Sequence, residues 1–113
     1  MPLIAGVDSS TQSTKIEIRD LASGEVIASS SASHPAVVAP ASEQDPESWW
    51  TAFNTAWAAA GAPTVAAISV AGQQHGMVAL DEDAVPVHPA KLWNDTESAP
   101  DADDLNIRLG GPA

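Results

Sequence analysis

The sequence has no cysteine, which excludes disulfides, thiolate metal sites and a cysteine nucleophile. Basic residues are scarce: 4 Lys and Arg stand against 15 Asp and Glu, a net charge of −11. Nucleic acids and anionic membranes both require basic surface, so neither is expected as the main partner. No stretch approaches about 18 consecutive apolar residues, so no transmembrane span is expected. The start Met1-Pro2-Leu3-Ile4 lacks a basic region followed by a long apolar run, so no secretory signal is expected. What is present is a chain of 113 residues, 44% apolar. That suffices for one small domain with a modest core and is too apolar for compositional disorder. The composition predicts a cytoplasmic chain.

Hydrophobic periodicity divides the chain. Leu3 to Val7 is a short apolar run that ends at Asp8, the pattern of a buried strand. Ile16 and Ile18 alternate with Lys15, Glu17 and Arg19, which predicts a half-buried strand to Asp20. Ala22-Ser23-Gly24 is a turn, and Glu25 to Ser31 reads as a third strand. Short polar turns between them predict an antiparallel meander. Ser31 to Asp45, with Pro35 and Pro40, reads as a loop. Asp45-Pro46-Glu47-Ser48 is a helix start, with Asp45 as N-cap and Pro46 in the first turn. The helix is predicted over Pro46 to Ala60, with Trp49, Trp50 and Trp57 expected in the core, and Gly61 and Pro63 stop it.

Val65 to Val70 is nearly all apolar, as in a strand covered on both faces, and is placed parallel to the first strand. Met77 to Leu80 is read as a further strand, and Val85 to Val87 and Ala90 to Trp93 as short extended pieces. Asn94 to Glu97 could cap a weak helix over Glu97 to Leu109, interrupted by Pro100 and ended by Gly110-Gly111-Pro112. The acidic run Asp101 to Asp104 reads as a solvated face. The fold class is α/β: a three-strand meander, a helix and further strands, with one side incomplete.

Three segments could carry chemistry. In Asp8-Ser9-Ser10-Thr11-Gln12-Ser13-Thr14-Lys15, a carboxylate ends a buried strand just before a hydroxyl-rich turn. Turn N–H groups with the hydroxyls of Ser10, Thr11 and Ser13 could cradle phosphate oxygens. Asp8 could hold Mg²⁺ through water. A polar hairpin turn with a capping Asp fits the same residues. Gly72-Gln73-Gln74-His75-Gly76 puts two amides and an imidazole between glycines. Such a set suits a polyhydroxylated ligand, although a polar bulge accounts for it equally. Trp93-Asn94-Asp95 could stack on a sugar and hydrogen-bond to it, or be a core Trp before a helix cap. His34, His75 and His88 lack close ligand spacing, so zinc is not expected.

Taken in order, these segments resemble the start of the FGGY carbohydrate kinases, most closely the xylulokinase branch. Leu3 to Thr11 with Lys15 is similar to the family's first phosphate hairpin. Glu43-Gln44-Asp45-Pro46-Glu47-Ser48-Trp49-Trp50 is similar to its loop and first helix. Ile68 to Gly76 resembles the xylulokinase sugar loop, and Leu92-Trp93-Asn94-Asp95 resembles the segment after it. The resemblance rests on order and spacing across nearly the whole chain.

The resemblance implies a ribonuclease-H-like, actin-like ATPase domain, with residues 1–113 forming part of the N-terminal kinase domain. It implies ATP and Mg²⁺ as cofactors and transfer of the γ-phosphoryl group to the 5-hydroxyl of D-xylulose. The phosphate role falls on Asp8 and Thr11, with Ser10, Ser13 and Lys15 around them. The sugar role falls on Gln74 and His75, with Gln73, Asn94 and Asp95 as neighbours. The resemblance also implies that the catalytic base and adenine pocket lie downstream of the matched region. A fragment, a truncated frame, a split enzyme and a non-catalytic sugar-binding or interaction module are the readings left open. The resemblance allows a homodimer, which no residue pattern here shows. Three places depart from the family: Ser10 stands where many members carry Gly, Gln12-Ser13 replace a smaller pair, and Glu97 stands where Arg is common. The chain by itself is expected to lack turnover, expose apolar sheet surface and self-associate, opposed in part by its charge.

Overall fold

In the computed structural model, which describes residues 1–111, the expected meander is present. It comprises β1 (Leu3–Ser9), β2 (Ser13–Asp20) and β3 (Val26–Ser33), paired antiparallel. The period of two sorts the side chains onto two faces. Ala5, Val7, Ile16 and Ile18 are buried on one face. Gly6, Asp8 and Lys15, at the intervening positions, are exposed. β3 runs two residues past the predicted Ser31, because Ser33 still pairs with Ser13.

The segment expected to be a loop contains a two-residue strand, β4 (Glu43–Gln44). Helix α1 (Pro46–Ala59) follows as expected. Asp45 caps it, accepting a hydrogen bond from Glu47 N at 3.0 Å, a contact that stabilises a helix by about 1 kcal/mol. After Ala60, Gly61 takes φ +92° and Ala62 N returns to Trp57 O at 2.9 Å, which ends the helix. Ala56 is fully buried against the strands, and Phe53 and Trp57 pack at the edge of that core. Ser30 Oγ donates to Ala56 O (2.6 Å) and ties β3 to the helix.

The core expectation fails for the other two tryptophans. Trp50 is 61% exposed and stacks on Phe53 at 5.3 Å. Trp49 is half-buried, and its indole donates to Gln44 Oε1 (2.9 Å). Positions 49 and 50 are adjacent, and adjacent residues on a helix cannot share one face.

β5 (Ala67–Gly72) lies parallel to β1, giving the order β3-β2-β1-β5. It starts two residues later than predicted, and the coverage expected of it is absent. Every residue of β5 is exposed, including Ile68 and Val70 at 48% and 63%. The helix covers the meander and does not reach this edge.

Met77 to Leu80 is not a strand: it makes two isolated bridges, Met77 with Lys91 and Leu80 with Pro86. The proline-broken stretch after it offers no run of partners. β6 (Ala90–Lys91) pairs with β4 instead. α2 (Ala99–Arg108) buries none of its residues. Pro100 opens this helix rather than interrupting it, and Ser98 is its N-cap. The acidic run Asp101 to Asp104 is exposed, as expected. Pro112 lies outside the described residues. The radius of gyration is 18.7 Å, well above the ~13 Å of a compact chain of about 100 residues. Among the described residues, no helix is long and apolar enough to cross a membrane.

Candidate functional site

The parallel pairing of β1 and β5 builds the site. It sets Asp8 beside Ala71 and Ser9 beside Gly72, so Gln73 leaves β5 at the hairpin that leaves β1. Gln73 N donates to Ser9 O at 3.1 Å. Thr11, at the hairpin tip, donates its hydroxyl proton to Gln73 Oε1 at 2.9 Å. The same hydroxyl oxygen accepts from Trp93 Nε1 at 3.2 Å. Three segments that the sequence singled out separately therefore meet at one hydroxyl group.

Around this junction lies a cavity of about 750 Å³ bordered by Ser10, Thr11, His34, Gln73, Trp93 and Asn94. A second hollow of about 690 Å³ lies on the open sheet face, with Asp8, Lys15 and Glu17 on its wall. Asp8 and Lys15 stand directly opposite one another in the β1–β2 register. The Asp8 carboxylate is exposed there, which leaves it able to hold a hydrated Mg²⁺, a cation that keeps most of its waters. Ser10 closes the hairpin, its N–H and Oγ both donating to Ser13 O (3.0 and 3.3 Å). Among the described residues, the non-glycines at positive φ are Ala62, His75 and Ala84. Ser10 thus turns the hairpin without the strain that would demand glycine.

Gln74 and His75 project past the junction and are exposed. His75 sits at φ +59°, an uncommon backbone for a residue with a Cβ. A Cβ built at Gly72 would meet open space, so the backbone is accessible there.

Asn94 and Asp95 do not cap α2; they hold the loop before α1. Asn94 Oδ1 accepts from Ser42 Oγ (2.6 Å), and Asp95 Oδ2 accepts from Ser42 N (2.8 Å). That backbone N–H chiefly, with Glu97 N and Lys91 in support, holds the Asp95 carboxyl below its ordinary value. The Lys91 ammonium lies among Glu43 (2.8 Å), Asp95 (3.2 Å) and Glu97 (2.6 Å). Hydrogen bonds that Lys91 donates to Glu43 and Glu97, then to Asp95, raise its pKa above its ordinary 10.5. The carboxylate at position 97 thus gains a cation partner within the chain.

Sequence reasoning missed Gln44, His34 and Lys91 as shapers of this site. Gln44 is buried and donates to Thr11 O and Pro35 O, both at 2.8 Å. His34 is buried too, with Nε2 2.7 Å from Thr14 Oγ1 and its backbone N donating to Gln12 O (2.8 Å). The available signal was Gln44 inside the segment before the helix, but no periodicity marks a buried polar contact.

Residues 3–111 match the model of the FGGY family of carbohydrate kinases, N-terminal domain. A xylulose kinase from Streptomyces coelicolor is 50% identical over 112 residues, which are 97% of this chain and 23% of that relative. A xylulose kinase from Arthrobacter sp. is 56% identical over 100 residues, covering 88% of this chain and 100% of the relative. The crystal structure of xylulose kinase from Bifidobacterium adolescentis superposes with a TM-score of 0.81 at 45% identity. It covers 96% of this chain and 21% of that one. The chain therefore spans under a quarter of the length of the Streptomyces relative and of that crystal structure.

Proposed function

The chain belongs to the FGGY family of carbohydrate kinases, and from that premise we propose that it is the N-terminal part of an ATP-dependent xylulose kinase of the cytoplasm. The observation that carries this reading is the hydrogen bond from Thr11 Oγ1 to Gln73 Oε1. It joins the proposed phosphate hairpin directly to the proposed sugar loop, as transfer between two bound substrates requires. Phosphoryl transfer depends mostly on positioning and charge neutralisation.

In this reading the 5-hydroxyl oxygen of D-xylulose bonds to the γ-phosphorus of ATP. The bond from that phosphorus to its bridging oxygen breaks, and ADP leaves. The hydroxyl proton passes to a base supplied from outside residues 1–113, as is the adenine pocket. Asp8 would hold Mg²⁺, which when bound would supply neutralisation of the phosphate charge. Ser10, Thr11, Ser13 and Lys15 surround the phosphate oxygens. Gln73, Gln74 and His75 bind the sugar hydroxyls. Asn94 and Asp95 flank the sugar while fixing the loop at Ser42.

The test is phosphorylation of D-xylulose by the complete protein with Mg·ATP. Asp8→Asn should lower kcat by about 100-fold or more. His75→Ala should lower kcat/KM for xylulose by about 10- to 100-fold. Preference of the parent for a different polyol would overturn the substrate. Full activity of Asp8→Asn would overturn its role. Turnover by residues 1–113 alone would overturn the assignment of the base elsewhere.

A further inference from the structure

The hairpin tip between β1 and β2 has little support of its own. Its internal bonds run from Ser10 to Ser13 O and leave the Thr11 carbonyl to be satisfied from elsewhere. Gln44 supplies that bond. It is 3% exposed, and its amide is fully used: Nε2 donates to Thr11 O and Pro35 O, and Oε1 accepts from Trp49 Nε1. Chemistry fixes the orientation of this amide. An indole N–H can only donate and a carbonyl can only accept, so the flipped amide would lose all three bonds.

The Thr11 hydroxyl is engaged on two sides. Its oxygen accepts from Trp93 Nε1 and its proton goes to Gln73 Oε1. One residue, Thr11, is thus held from below through its carbonyl and tied to the sugar loop through its hydroxyl. We propose that Gln44 is a positioning residue for phosphoryl transfer. By fixing the Thr11 backbone, it keeps the phosphate hairpin in register with Gln73 and hence with the bound sugar. Without the Gln44 donor the short tip can pivot, and a displacement of about 1 Å is enough to cost roughly 100-fold in rate. The inference rests on the kinase reading above.

The test uses the complete enzyme. Gln44→Ala and the isosteric Gln44→Glu both remove the donor to Thr11 O. Each should lower kcat by about 10- to 100-fold, with KM for ATP and for xylulose within about threefold of the parent. Amide exchange at His34 and Gln73, whose N–H groups bond to Gln12 O and Ser9 O, should quicken at least about tenfold. A folded variant with a lowered melting temperature but unchanged kcat and unchanged exchange would show a merely structural role and overturn the proposal. Should both Gln44 variants fail to fold, Thr11→Val keeps the carbonyl bond and cuts the link to Gln73. A kcat within twofold of the parent in that variant would also overturn it. If the parent phosphorylates no sugar, the kinase reading fails. Exchange in Gln44→Ala then decides the clamp: faster exchange upholds it and unchanged exchange overturns it.

Discussion

Residues 3–60 hold one buried apolar cluster, whereas residues 73–111 bury few of their apolar side chains. In the first region Ala5, Val7, Ile16, Ile18 and Ala56 form one cluster beneath α1. In the second, Ala90 and Leu92 are the buried apolar residues, and α2 has none. The second region is attached to the first by polar bonds: Leu92 N to Ser42 O at 2.9 Å, Ser42 N to Asp95 Oδ2 at 2.8 Å, and the ion pair of Lys91 with Glu43 at 2.8 Å. A region held by polar contacts near solvent opens more readily than a packed core. The candidate site straddles this divide. Its hairpin stands on the packed region, while Trp93 and Asn94 stand on the loosely attached one. The proposed function would use both properties: a fixed hairpin for phosphate and a looser segment that can admit and release a sugar.

The contrast should be plainest in stability. Ile16→Ala, at a position 1% exposed, should lower the unfolding free energy by about 2–5 kcal/mol. Ile107→Ala, at a position 80% exposed, should change it by no more than ~0.5 kcal/mol. Urea denaturation of the two variants compares the regions directly, and equal losses would erase the distinction between them.

A smaller effect belongs to the uncovered edge. The 113-residue chain should self-associate through β5, where Ile68 and Val70 are exposed. Val70→Lys should weaken that association by about tenfold, since a lysine on an edge opposes strand pairing. Sedimentation at several concentrations measures it. A monomeric parent would show that the net charge of −11 already prevents contact.

The smallest effect is acid sensitivity of the polar attachment. The Asp95 pKa in the fold lies below its ordinary 3.8. Its contribution is therefore complete above that value and lost as pH falls through the lowered one. Asp95→Asn should flatten the acid limb of the stability curve and leave the neutral region less stable than the parent. A parent-like acid limb in Asp95→Asn would show that Ser42 and Lys91 hold the loop without it. Lys91 works in the opposite sense. Its raised value makes its contribution complete below pH 10.5, lost only in stronger alkali.

Much of the packed region was legible beforehand. Alternation at Ile16 and Ile18 marked β2, and Asp45-Pro46 marked the start of α1 to the residue. Both are local signals, written within a few neighbouring positions. The later region was harder to read because its order is not local. Gln44 pairs with Ala90 across the whole helix and β5, and no pattern near residue 90 announces that partner. Met77 to Leu80 has strand-like composition, yet composition does not create a neighbour to pair with.

The candidate site divides in the same way. Asp8, Thr11 and Gln73 could be singled out from residue type and position at strand ends. That Thr11 meets Gln73, that Trp93 joins them and that Gln44 holds the tip from below could not. Asn94 and Asp95 suit a helix cap by residue type, and the fold employs them instead to hold Ser42.

The sequence by itself determined β1, β2, β3 and β5, the first helix, the absence of thiol chemistry and the segments that concentrate hydroxyl, amide and imidazole groups. Short-range periodicity and side-chain chemistry suffice for those. Only the tertiary structure decided which of the segments touch, because hydrogen bonds spanning 62 and 82 positions, such as Thr11 with Gln73 and Trp93, depend on the parallel return of β5 beside β1. That return is fixed by the packing of α1 on the meander, a property of the folded chain as a whole.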